Sequence, residues 1–113
     1  MIQLGSINLI VRDISTVEKF YVEMLGLTVD PERTNRPMFV LLRAANCMLI
    51  LQQASTEEVT HDKSSIELAF QADDVEAIKQ KLGPKAVVQK MGWGNAIETT
   101  DPEGTRLNLY RWS

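Results

Sequence analysis

The sequence predicts an α+β fold in which one strand–helix–strand–strand–strand unit is written twice. Three observations carry this. Residues 6–27, SINLIVRDISTVEKFYVEMLGL, read as a strand, a capped helix and a glycine stop. A weaker copy, ELAFQADDVEAIKQKLG, begins at Glu67. The copies keep register: 61 residues separate Ser6 from Glu67, and the same interval separates Asp13 from Asp74. A repeated unit that cannot cover its own sheet implies that the copies pack together.

The first unit opens with an alternating stretch over residues 3–12. Ile7, Leu9 and Val11 share one face, and Ser6, Asn8 and Ile10 the other, as in a strand with one face on a core. Ser15-Thr-Val-Glu18 has the pattern of a capping box. Val17, Phe20, Tyr21, Met24 and Leu25 follow at helical spacing. Gly26 suits the left-handed position that ends a helix. Residues 27–31 read as a short strand and residues 32–37 as a polar loop. Residues 38–44 and 47–53 read as a hairpin around Ala45-Asn46. The polar stretch 54–64 reads as a linker.

The second unit repeats the order. Residues 66–72 form a strand with Ile66, Leu68 and Phe70 on the core face. Asp73 and Asp74 are both candidate helix caps. Val75, Ile78 and Leu82 make a thinner stripe, ended by Gly83-Pro84. Only 57 residues separate Gly26 from Gly83, so the second helix is shorter. Residues 86–90 read as a strand, Met91 to Asn95 as a loop, and residues 96–100 and 105–112 as a hairpin around Asp101-Pro-Glu-Gly104, which has turn chemistry.

Composition bounds the function. A chain of 113 residues has the length of one domain. The formal net charge is −3 with no basic cluster, which argues against nucleic acid. No apolar run approaches the roughly 20 residues that span a bilayer, and the N-terminal residues do not read as a signal peptide. Cys47 is the single cysteine, so no internal disulfide forms and a reducing cytoplasm is expected.

The order Val11-Arg12-Asp13, Phe20-Tyr21, Leu25-Gly26-Leu27, Trp93-Gly94 and Asp101-Pro102-Glu103-Gly104 resembles the vicinal oxygen chelate superfamily. That superfamily includes glyoxalase I, extradiol dioxygenases, fosfomycin-resistance enzymes and bleomycin-binding proteins. The resemblance covers nearly the whole chain. It implies one domain over residues 1–113, with modules at about 1–54 and 65–113 and a linker at about 55–64. It further implies two βαβββ modules curled into a cup with the helices outside, a ligand site inside the cup, and a homodimer. A dimer would also cover exposed strand edges.

The superfamily's four metal-ligand positions map by register onto Ser6, Ile50, Glu67 and Asn108. Here the set departs from the usual histidines and glutamates. Ile50 has no donor atom, serine and neutral asparagine are poor ligands for zinc or nickel, and Glu67 alone does not make a tight site. Neither a metal nor any other cofactor is therefore expected.

Several residues are candidates for binding. Glu67 would project into the cup as an acceptor or a base, or stand as an exposed glutamate. Asn8, Gln52, Glu98, Asn108 and Tyr110 share the faces of the mapped positions. Trp93 sits between glycines and would stack on a planar ligand, as aromatic groups do in the bleomycin-binding relatives, or else pin its loop. Trp112 reads as a packing residue, His61 as a surface residue of the linker, and Cys47 as a buried small hydrophobe. Arg12, Arg106 and Arg111 read as solvated.

The first functional expectation is a metal-free small-molecule binding protein that sequesters an organic compound, antibiotics included. Its alternatives are a lyase or isomerase using Glu67 as base, an enzyme holding a weak divalent metal with Glu67 and Glu98 or waters, and a domain whose cup is vestigial.

Overall fold

Hydrophobic alternation in the strands and two capped helices build two four-stranded mixed sheets. The computed structural model describes residues 3–55 and 66–113, and the chain divides into two compact units, Met1–His61 and Asp62–Ser113.

The first unit runs β1 (Ser6–Val11), α1 (Ile14–Glu23), β2 (Thr28–Val29), β3 (Phe39–Arg43) and β4 (Met48–Gln53). Its sheet order is β1-β4-β3-β2, with β1 parallel to β4 and the remaining pairs antiparallel. Leu9 pairs with Leu51, Leu51 with Val40 and Leu49 with Leu42, so these side chains share one face. All are buried, as are Ile14, Val17 and Tyr21 of α1, which packs on β3 and β4. Each fully buried large apolar side chain contributes about 1.5–3 kcal/mol.

The helix starts one residue before the expected capping box. Asp13 is the N-cap, accepting from the Thr16 N–H at 3.2 Å and the Thr16 hydroxyl at 2.7 Å. Ser15 therefore lies inside the first turn, and Glu18 turns outward to a bidentate pair with Arg36 at 2.7 and 2.9 Å. Gly26 takes the left-handed conformation (φ +75°) that ends the helix.

The strand expected over residues 27–31 shortens to Thr28–Val29. The reason is Asp30, whose carboxylate captures the Glu32 and Arg33 N–H groups and turns the chain. The expected hairpin of β3 and β4 forms, closed by the Ala44 N–H donating to the Cys47 carbonyl at 3.0 Å.

The second unit repeats the order: β5 (Glu67–Gln71), α2 (Val75–Leu82), β6 (Gln89–Met91), β7 (Gly94–Thr100) and β8 (Arg106–Trp112). The sheet order β5-β8-β7-β6 is that of the first unit, again with one parallel pair. Leu68, Ile97, Leu107 and Leu109 are buried, and α2 packs on β7 and β8. Ile66 lies before the strand and is exposed rather than on the core face.

Asp74, not Asp73, caps α2 through the Ala77 N–H at 3.1 Å. Residues 86–88 stay outside the sheet, and β6 extends to Met91 instead. The Asp101–Gly104 turn forms as expected. Asp101 is buried and accepts from the Glu103 and Thr105 N–H groups, both at 2.9 Å. Among the described residues no helix is long and apolar enough to cross a membrane.

Candidate functional site

The pairing registers of the two parallel ladders test the internal repeat. In the first unit Ser6 pairs with Met48, Asn8 with Ile50 and Ile10 with Gln52. In the second, Glu67 pairs with Arg106, Ala69 with Asn108 and Gln71 with Tyr110. The superimposed pairs are those expected from the 61-residue offset. Ser6 thus corresponds to Glu67, and Ile50 to Asn108.

In each sheet, alternation sends these residues to the face opposite the one that packs on the helix. Ser6, Asn8, Ile50 and Gln52 stand together on that face in the first unit. Ser6 and Asn8 are exposed; Ile50 and Gln52 are half-buried. They are joined there by Phe39 and Leu41 of β3, so the face is largely apolar.

The corresponding face of the second unit is polar at one end and aromatic at the other. Its first row is Glu67, Arg106 and Thr100; its second is Ala69, Asn108 and Glu98; its third is Gln71, Tyr110 and Ala96. Glu67, Glu98, Asn108 and Tyr110 therefore all lie on one surface. The Glu67 carboxylate is 3.6 Å from the Arg106 guanidinium, so Arg106 joins the site through an ion pair that only the parallel register reveals. Asn108 is half-buried, yet its Oδ1 is sealed from solvent and accepts no hydrogen bond.

Beyond Tyr110 the face ends in three rings. Trp93, Tyr110 and Trp112 meet edge to face, with centroids 5.2 Å apart for the tryptophans, 6.1 Å for Trp93–Tyr110 and 5.3 Å for Tyr110–Trp112. Each such pair is worth about 0.5–1.5 kcal/mol beyond area burial. Trp93 and Trp112 remain 41% and 56% exposed, so a broad aromatic surface is left for contact.

Trp112 is thus part of an exposed cluster, not the interior packing residue expected of it. Nor is Trp93 on a swinging loop. Gly92 and Trp93 form the tight turn between β6 and β7, and the Ser113 N–H donates to the Trp93 carbonyl at 2.9 Å. The signal for this cluster was present in the parity of Tyr110 and Trp112, two residues apart on one strand.

Other candidates fall elsewhere. Cys47 is half-buried, with its thiol directed at the Met48 carbonyl. The Arg12 carbonyl accepts from the Gln53 side chain. Arg111 donates to the Asp73 carbonyl on the helix side of its sheet. There it borders a cavity of about 230 Å³ with Asp73, Asp74, Val75, Glu76 and Asn95. None of the expected site residues lines that cavity. His61 and most of the expected linker lie outside the described residues.

The donor set does not fit a tightly held divalent ion. Ile50 offers no ligand atom, and the Glu67 carboxylate already faces a guanidinium cation. Among the described residues, no three His, Cys, Asp or Glu side chains are grouped to hold a metal.

The fold is that of the vicinal oxygen chelate superfamily, the glyoxalase/bleomycin-resistance fold. Three solved structures that share it illustrate the range. A lactoylglutathione lyase from Agrobacterium tumefaciens is 18% identical with a TM-score of 0.72, over 96% of this chain and 92% of that one. An antibiotic-binding protein from a Streptomyces species is 21% identical with a TM-score of 0.73, over 100% and 98%. A glyoxalase-related enzyme from Fulvimarina pelagi is 17% identical with a TM-score of 0.78, over 98% and 88%. No family profile matches the chain, and no curated protein matches it.

Proposed function

We propose that this chain is a metal-free small-molecule binding protein that sequesters a planar organic compound, acting as a homodimer in the cytoplasm. The observation that carries the reading is the exposed ring cluster of Trp93, Tyr110 and Trp112 on the same face as Asn108 and Glu98. Aromatic surface supplies apolar contact, and a few polar groups fix orientation, which is the usual division of labour in ligand sites. A fold shared with an antibiotic-binding protein supports the reading. So does a donor set unsuited to chelation.

The enzyme alternative, with Glu67 as base, draws support from the lyase that shares the fold. It called for a carboxylate held in apolar surroundings. Glu67 is instead exposed and paired with Arg106, which favours the binding reading.

Both tryptophans of the chain belong to the ring cluster, so intrinsic fluorescence reports on the site alone. A panel of planar aromatic compounds, antibiotics included, should contain members that quench this emission and raise the melting temperature, since a ligand of the folded state stabilises it. Trp93→Ala should weaken the best binder by about 10-fold, the scale of one aromatic contact. If no compound in the panel either quenches or stabilises, the binding reading is wrong.

A further inference from the structure

Asn108 and Glu98 form a pair of acceptors with no donor between them. They sit directly opposite each other on β8 and β7, where Cβ atoms are about 4.5–5.5 Å apart. The Asn108 Oδ1 accepts nothing, and Glu98 has no ion-pair partner among the described residues. Their third neighbour in the row is Ala69, which has no polar side chain. Arg106, the nearest cation along β8, is turned to Glu67. An acceptor sealed from water without a donor is a destabilising arrangement that proteins rarely keep.

One row further along β8 lies Tyr110, the first ring of the aromatic cluster. Two residues along a strand span about 6.6 Å. A ring seated on the cluster therefore places a substituent one bond beyond its edge over the acceptor pair. The terminal torsion of asparagine is broad, so a rotation there turns Oδ1 toward this substituent. Ala69 and Ala96 keep the surface beside both positions low.

We propose that Asn108 is a specificity-determining residue, and that the ligand class is a planar aromatic compound bearing a primary amine, whose N–H groups donate to Asn108 Oδ1 and to the Glu98 carboxylate. This rests on the binding reading above and narrows it. The carboxylate attracts the ammonium charge. The asparagine counts its N–H groups, because a neutral acceptor discriminates by hydrogen bonding where a carboxylate also responds to charge.

Three probes separate these contributions: 6-(aminomethyl)quinoline, its N,N,N-trimethylammonium analogue, and 6-methylquinoline. The second keeps the charge without an N–H, and the third has neither. Binding is read by tryptophan emission and calorimetry. The primary amine should bind the intact protein about 10-fold more tightly than the quaternary analogue, and Asn108→Leu should erase that preference. The same substitution removes the orphan acceptor at similar volume, so its melting temperature without ligand should rise.

Equal binding of the amine and its quaternary analogue overturns the role of Asn108 and leaves ring binding standing. So does a preference that survives in Asn108→Leu. A lowered melting temperature overturns it too, because it marks a structural asparagine. If none of the three probes binds, the ring-binding reading falls and this proposal with it.

Discussion

Asp30 shows how a single buried carboxylate organises its surroundings. It is 3% exposed and accepts from the Glu32 and Arg33 N–H groups and from the guanidinium groups of Arg33 and Arg43. The hydrogen bonds from Arg43, reinforced by Arg33, hold its carboxyl down to about 2, below the ordinary 3.8. A depressed carboxyl stabilises the folded state fully above the ordinary value and loses that contribution as pH falls through about 2. Asp30→Asn should therefore lower the melting temperature most above pH 4, with the gap to the parent closing towards pH 2. Thermal unfolding across that range checks it; a gap of constant size would assign the effect to packing. Nothing in hydrophobic periodicity pointed to Asp30. Its partner Arg43 is thirteen residues away, and the pairing exists only because β2 and β3 are neighbours. Likewise, the Ser15–Glu18 capping pattern gave way to Asp13 because Glu18 had a stronger partner in Arg36, beyond the reach of a four-residue motif.

At the scale of elements, the β6–β7 turn decides where the ring cluster stands. Gly94 approaches β8 so closely that an added Cβ would lie 2.0 Å from the Arg111 carbonyl oxygen. Its φ of +155° is also unfavourable for side-chain-bearing residues. Gly94→Ala should force β7 away from β8 and destabilise the protein by about 3 kcal/mol. It should also separate Trp93 from Trp112, abolishing the exciton signal that two indoles 5.2 Å apart give in circular dichroism. An unchanged signal and denaturation midpoint would show that the turn does not hold the cluster. The strand faces themselves were legible from alternation, and that parity placed Asn108, Glu98 and Tyr110 on one surface. The loop assigned to residues 91–95 concealed the turn, since Gly-Trp-Gly satisfies a flexible loop and a tight hairpin equally well. Pairing of Met91 with Gly94, a tertiary fact, is what separates the two.

At the scale of the whole molecule, the repeat conserves topology while dividing chemistry. Both units carry the same strand order and the same parallel register, and this symmetry was readable from the 61-residue offset. The division of chemistry follows from which residues fill equivalent places. Where the second unit has Ala69, Asn108 and Glu98 in a row, the first has Asn8, Ile50 and Leu41. Acid should act unequally on the two halves as well. Asp13, Glu18 and Asp30 are all held below the ordinary carboxylate range, by bonds from Thr16, Arg36 and Arg43 respectively, and all three lie in the first unit. Each such group contributes stability above its ordinary value and loses it as pH falls through its lowered one. Acidification from pH 5 towards 2 should thus reduce the opening free energy of β1–β4 more than that of β5–β8. Hydrogen exchange, corrected for the intrinsic rate at each pH, resolves the two sheets separately. Parallel loss of protection in both would mean that they unfold as one cooperative unit, so that the ion pairs of the first stabilise the ring-bearing face of the second.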